Sequence, residues 1–213
     1  MIGCVHCTRL LITATGWAAR PPWLLDLRRR HADGAIGREE LAAAEDLAIA
    51  DAIALQARVG LKFATDGEFR RRSYHSYFYG RLGDIVPDVM VEVDTASGRA
   101  AQPTAVVRSK VQWTGPIHVD DFAFLRARTR SVPKITIPGP CAVHFRGGDR
   151  AVTAHAYRDV EEFWHDTVVA FRAELTALAA AGCTYVQIDE TAFAKFDPEV
   201  QASLRRAATT GRR

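Results

Sequence analysis

Cysteine is scarce. Four residues in a chain of 213 are too few to staple a domain of this length, which excludes a disulfide scaffold. Two of them, Cys4 and Cys7, form a C-x-x-C around His6, a spacing that suits a redox pair or half of a zinc knuckle. No second C-x-x-C and no H-x3-H completes a four-ligand set, so the pair is read as two thiols in a frayed N-terminus. Apolar runs of the ~20 residues that a membrane helix requires are also missing. The stretch from Leu10 to Ala19 is broken by Thr13, Thr15 and Gly16 and has no clean charged region before it. It reads as a first core strand, Leu10–Thr13, not as a signal peptide, and a cytoplasmic location is expected. Charge of one sign is in short supply: the formal balance is +3. The arginines are scattered, with no stripe of interleaved aromatics, so no nucleic-acid partner is expected.

What is present suits one large domain or two small ones with a sizeable core. Hydrophobic residues make up 48% and charged residues 25%. Short apolar runs alternate with amphipathic helical patterns. Two prolines, Pro21 and Pro22, fit the first turn of a helix from Trp23 to His31. Gly37 opens a helix over 38–59 whose apolar face is read as Leu41, Ala44, Ala48, Ala52, Leu55 and Val59. Gly60 follows it, and a strand over 61–65 begins at once. Residues 69–83 mix arginine with aromatics and read as a loop with a helical piece. Over 86–113 the period changes to two, with Val89, Val91 and Val93 alternating with polar residues, which predicts an inserted β-hairpin. A short helix over 120–130 and a strand over 134–137 come next, then a loop from Cys141 to Asp149. Asp159 caps a helix with Glu162 in the capping-box position; its buried face is read as Phe163, Thr167, Phe171, Leu175 and Leu178. After Gly182 the strand Tyr185–Ile188 leads into Asp189 and Glu190, and a last helix starts at Asp197-Pro198.

Parallel strands followed by helices build their sites at the strand C-termini. The strand ends here offer Gly16, then Asp66 and Glu68, then Pro138-Gly139-Pro140 with His144, then Asp189 and Glu190. Side chains alternate along extended chain, so Asp66 and Glu68 share a side and Asp189 opposes Glu190. Three carboxylates on one rim suit an amine, a metal or general acid–base work. Capping of the following helices is the alternative reading for each of them. His75, His118, His155 and His165 are read as surface or loop residues, and Arg70-Arg71-Arg72 as a solvated face.

Several of these segments occur together in one known family. They are Arg20-Pro21-Pro22, the helix end from Leu55 to Leu61, and Thr65-Asp66-Gly67-Glu68-Phe69-Arg70-Arg71. Lys134-Ile135-Thr136-Ile137-Pro138-Gly139-Pro140, His144-Phe145-Arg146-Gly147-Gly148 and Gln187-Ile188-Asp189-Glu190-Thr191 follow in order. In this the chain resembles the cobalamin-independent methionine synthase family, in particular short bacterial homologues that keep the C-terminal catalytic barrel. The resemblance implies a (β/α)8 TIM-barrel fold that moves a methyl group onto the thiol of homocysteine. Zinc activates that thiol in the full-length family, and the methyl donor is 5-methyltetrahydrofolate. By position, Glu68 and Asp189 would hold the substrate ammonium, with Asp66 and Gly16 at the same strand ends. The loop from Gly139 to Phe145, including His144 and Phe145, would lie near the methyl donor.

Two departures qualify the match. The family's serine after the first strand, which helps hold the substrate carboxylate, is replaced by Trp17 after Gly16. The family's zinc ligands include an H-x-C motif beyond the Gln187–Glu190 strand, and no Cys or His follows Cys183 here. The expectation is therefore a single domain, 1–213, holding about the first four βα units of the barrel, without metal ligands and inactive alone. Self-association through an open barrel edge is expected with it. The competing readings are a non-catalytic truncated module, or a related barrel methyltransferase using another thiol or a corrinoid donor.

Overall fold

Prolines and glycines punctuate the described helices as their stereochemistry requires. A computed structural model describes residues 18–95, 98–147 and 150–190. Its elements are α1 (Pro22–Ala32), α2 (Arg38–Arg58), β1 (Phe63–Ala64), α3 (Ser76–Tyr79), β2 (Ile85–Thr95), β3 (Gly98–Val107), α4 (Val119–Arg128), β4 (Val132–Pro133), β5 (Ile135–Pro138), α5 (Cys141–Gly147), α6 (Val160–Ala180) and β6 (Val186–Asp189). The expected strand Leu10–Thr13, Gly16 and the helix from Asp197 lie outside the described residues. Among the described residues no helix is long and apolar enough to cross a membrane. Contacts divide the chain into two units. One contains the described parts of 1–72, 118–136 and 177–187; the other contains those of 73–117, 137–176 and 188–213.

In the first unit α1 begins with Pro22 at its first turn and ends at Asp33, whose N–H donates to the Arg29 carbonyl (2.9 Å). Helix α2 starts after Gly37 with Glu39 and Glu40 in its first turn, where the helix dipole favours acids. Its buried face is Leu41, Ala44, Glu45, Ala48, Ile49 and Ile53. This corrects the expected face. Leu55 and Val59 are exposed (49% and 62%), while Glu45 is buried because Arg28 meets it at 2.6 Å. Strand β1 pairs in parallel with β4, Phe63 opposite Val132 and Ala64 opposite Pro133. The side chain of Gln56, near the end of α2, extends that strand. It donates to the Thr65 carbonyl (2.9 Å) and accepts the Thr65 N–H (3.0 Å). Lys134, fully buried, donates to Gln187 Oε1 (2.9 Å) and lies 5.5 Å from the centre of the Tyr185 ring. The amide replaces water as its partner.

In the second unit β2 and β3 form the expected antiparallel hairpin, with an irregularity between Val86 and Val89. It ends at Val107, which is bridged to Val152, so the strands stop short of the expected 113. The segment 141–147, expected as a loop, is helix α5. Asp159 caps helix α6 as expected, its Oδ1 accepting the Glu161 N–H at 3.0 Å, but Glu162 turns to Lys110 Nζ (2.5 Å) instead of closing the capping box. Phe163, Thr167, Phe171 and Leu178 are buried as read, and Glu174 is fully buried as well. Its Oε2 accepts Trp113 Nε1–H (2.8 Å) and the Ile117 N–H (2.9 Å), which makes a buried carboxylate tolerable.

Candidate functional site

Beyond β1 the chain turns through Thr65-Asp66-Gly67-Glu68, and Thr65, Asp66 and Glu68 are each 2% exposed. Gly67 and Glu68 both have left-handed backbone, φ 66 and 58. Glycine adopts this readily; a glutamate there is strained and persists only where its surroundings over-determine it. They do. The Glu68 N–H donates to Asp66 Oδ1 (3.0 Å), and its carbonyl accepts from the Arg71 N–H and Arg20 Nη2 (both 3.0 Å). The Gly67 carbonyl accepts the Ala18 N–H (3.0 Å). A Cβ on Gly67 would lie 3.1 Å from Ala18 Cβ and 3.2 Å from the Phe69 ring.

Arginines hold the rest of the turn. Arg71, 1% exposed, donates to the Thr136 carbonyl (2.7 Å) and lies 3.6 Å from Glu68 Oε1. Its own carbonyl accepts from Arg20 Nη2 (2.5 Å) and Arg28 Nη1 (3.1 Å). Arg28 also donates to the Phe69 carbonyl and to Glu45. Burial, then the neighbouring Arg28, holds the Arg20 guanidinium below its ordinary value, against the carboxylates of Glu68 and Glu45. Arg70 pairs with Asp46 (2.5 Å) and Asp121 (3.4 Å) and lies over the Phe124 ring. The expected solvated face is thus corrected for Arg70 and Arg71. The outward-facing carbonyls of a tight turn need donors, and these guanidinium groups supply them.

Asp66 Oδ2 and Asp121 Oδ2 are buried, and neither has a hydrogen-bond partner among the described residues. Burial raises the Asp121 carboxyl above its ordinary value and Asp66 adds to that, while His118, Arg70 and Arg71 oppose it. His118, read from sequence as a surface or loop residue, lies in the connection just before α4 but is fully buried.

In the second unit the turn Pro138-Gly139-Pro140 is fixed by groups far along the chain. The Gly139 N–H donates to the Asp189 carbonyl (2.9 Å), and Tyr79 Oη donates to the Gly139 carbonyl. Glu190 Oε2 accepts the Cys141 N–H (2.9 Å). A Cβ on Gly139 would lie 2.3 Å from Glu190 Oε2, so no other residue fits there without movement. Burial, then Glu190, pushes the Tyr79 hydroxyl well up. Burial, then the charge and hydrogen bond of Glu190, pushes the Cys141 thiol up to about 11. Helix α5 carries His144 and Phe145; the His144 ring lies 5.4 Å from Trp164 and 6.3 Å from Phe163.

Of the sequence-derived site residues, Asp66 and Glu68 meet in one turn of the first unit. Asp189, His144 and Phe145 belong to the second, and Gly16 is outside the described residues. Arg71, Asp121, Glu190 as an anchor, and Tyr79 were missed as site components. The R-P-P and K-I-T-I-P-G-P segments marked the neighbourhood, but nothing in a linear pattern pairs Arg20 with Arg71 or Tyr79 with Gly139. Among the described residues no three of His, Cys, Asp and Glu are grouped to hold a metal ion. They do not fit zinc.

Alternating helices and strands, with buried carboxylates clamped beyond a strand end, define an α/β protein. The chain belongs to the family described as cobalamin-independent synthase, catalytic domain, whose sequence model matches residues 24–210. It is 31% identical over 173 residues to the uncharacterized protein YxjH of Bacillus subtilis, covering 80% of this chain and 45% of that protein. It is 29% identical over 193 residues to the methionine synthase of Sulfurisphaera tokodaii, covering 90% and 55%. The fold is similar to the crystal structure of a putative vitamin-B12 independent methionine synthase from Listeria monocytogenes: TM-score 0.65, 30% identity, 86% of this chain and 54% of that one. The chain spans about half the length of the curated relatives it matches.

Proposed function

We propose that this chain carries the amine-binding part of a methionine-synthase-type methyltransferase site, residues 1–213 being the first four βα units of a cytoplasmic (β/α)8 barrel. As the resemblance implies, Glu68 and Asp189 hold the ammonium group of homocysteine, and Asp66 and Gly16 serve the same substrate. His144 and Phe145 serve the methyl donor, 5-methyltetrahydrofolate. The observation that carries this is Glu68, a buried carboxylate kept at φ 58 by bonds to its own N–H and carbonyl. Strain of that kind is retained where a side chain must be aimed. An ammonium group gains charge-assisted hydrogen bonds from such a carboxylate, worth more than neutral ones. Calorimetric titration tests it. Homocysteine is expected to bind, and 4-mercaptobutyrate, which lacks the amine, to bind at least about tenfold more weakly, as loss of one charged hydrogen bond implies. Glu68→Gln and Asp189→Asn should each erase that preference. Equal binding of the two thiols by the unsubstituted chain would sink the proposal.

For the 213 residues alone we expect no methionine formation, since the family's H-x-C motif does not follow Glu190 in this sequence. Methionine made by the pure chain from homocysteine and donor would overturn this. Self-association is proposed on the exposed strand residues Val132 (41%) and Ile188 (47%). Apolar side chains exposed on strands favour pairing with another copy.

A further inference from the structure

Asp189 and Glu190 are adjacent acids with different surroundings, and the difference assigns them different work. Asp189 meets the Gly139 segment through its backbone, its carbonyl accepting the Gly139 N–H. The Glu190 carboxylate is turned into the Gly139–Cys141 segment, where Oε2 takes the Cys141 N–H at 2.9 Å and fills the space a Cβ on Gly139 would need. The other side of the segment is held by Tyr79, whose hydroxyl donates to the Gly139 carbonyl. Backbone N–H, backbone carbonyl and missing side chain of Gly139 are therefore each matched by a residue 50 or more positions away. A seven-residue helix is too short to persist by its own hydrogen bonds.

We propose that Glu190 is a positioning residue that anchors the Gly139 turn and, through it, helix α5 with His144 and Phe145. It acts on the backbone of that segment and not on substrate. The assignment of His144 and Phe145 to the methyl donor rests on the reading above; the anchoring itself does not. A second consequence follows from the same contact. Cys141 sits against the Glu190 carboxylate, which keeps its thiol protonated alongside the effect of burial. A thiol in that state is a poor nucleophile, so Cys141 does not compete for an electrophilic methyl group.

Two readouts on the full chain test this without any activity assay. The first is alkylation of Cys141 by iodoacetamide against pH, resolved by peptide mass spectrometry from the other three cysteines. The second is hydrogen exchange of the amides of 141–147. Glu190→Gln keeps the shape and an acceptor but removes the charge. It should retain α5 protection and raise Cys141 alkylation at pH 8.5 severalfold, since a neighbouring negative charge that disfavours the thiolate is removed. Glu190→Ala should raise alkylation and also lose protection across 141–147, with α6 amides unchanged. Unchanged exchange of α5 in Glu190→Ala overturns the anchoring, and unchanged alkylation in Glu190→Gln overturns the effect on Cys141. Should Glu190→Ala unfold throughout, Glu190→Asp, whose shorter side chain falls short of the Cys141 N–H, decides by the same exchange readout. If both readouts move as expected while homocysteine fails to bind the unsubstituted chain, the methyltransferase reading falls and the anchoring stands.

Discussion

Asp121 shows how one buried proton enters the stability of the molecule. Its carboxyl is raised from an ordinary value of 3.8, first by burial and then by Asp66, with His118, Arg70 and Arg71 pulling the other way. A group held above its unfolded value binds its proton more tightly when folded. Its contribution is full below the ordinary aspartate range and is lost as pH rises through the folded value. Asp121→Asn keeps an uncharged head beside Asp66 at every pH. The difference in melting temperature between variant and parent is therefore expected to move in the variant's favour as pH rises from 4 towards 7. A constant difference over that range would refute the assignment. Gly67 gives a second prediction at this scale. Alanine there would meet both left-handed backbone and close contacts at 3.1 and 3.2 Å. Gly67→Ala should cost about 1–2 kcal/mol in a urea melt.

Between elements, the stabilising contacts are long-range and charged. Arg28 of α1 ties the carbonyls of Phe69 and Arg71 to Glu45 of α2. Arg28→Ala leaves the buried Glu45 with only the longer contact to exposed Arg38 (3.4 Å) and should cost about 2 kcal/mol; the double variant with Glu45→Met should recover part of that loss. A double-mutant cycle with no coupling would count against the clamp. Glu174 ties α6 to the segment 113–117. Glu174→Ala leaves two buried donors without an acceptor and should cost about 2–4 kcal/mol, together with a changed Trp113 fluorescence. These are the contacts the sequence concealed. Periodicity assigns charged positions to water, so the apolar faces read for α2 and α6 omit Glu45 and Glu174. Their partners stand 17 and 61 residues away. Helix boundaries were legible because Pro22, Gly37 and Asp159 act locally. Helix α5 was not, because its anchor is 49 residues further on.

For the whole molecule, the acidic strand-end pattern around Asp66 and Glu68 was readable since strand, turn and carboxylates are contiguous. The set of groups that aims Glu68 was not, since Arg20 reaches it across 48 residues. The same division governs assembly. Exposed Val132 and Ile188 lead us to expect a weight-average mass that rises with concentration in light scattering. A constant monomer mass from micromolar to millimolar chain would remove that expectation.

The Gln56 side chain has a kinetic meaning. It offers Thr65 both a donor and an acceptor from only nine residues away, whereas Ser131 reaches Leu61 across 70. Closing the short loop costs less chain entropy and happens sooner. Helix α2 and the first residues of the acidic turn can thus assemble as a local nucleus before the neighbouring strand arrives. Gln56→Ala should slow refolding more than it speeds unfolding, and stopped-flow chevrons would show which limb moves.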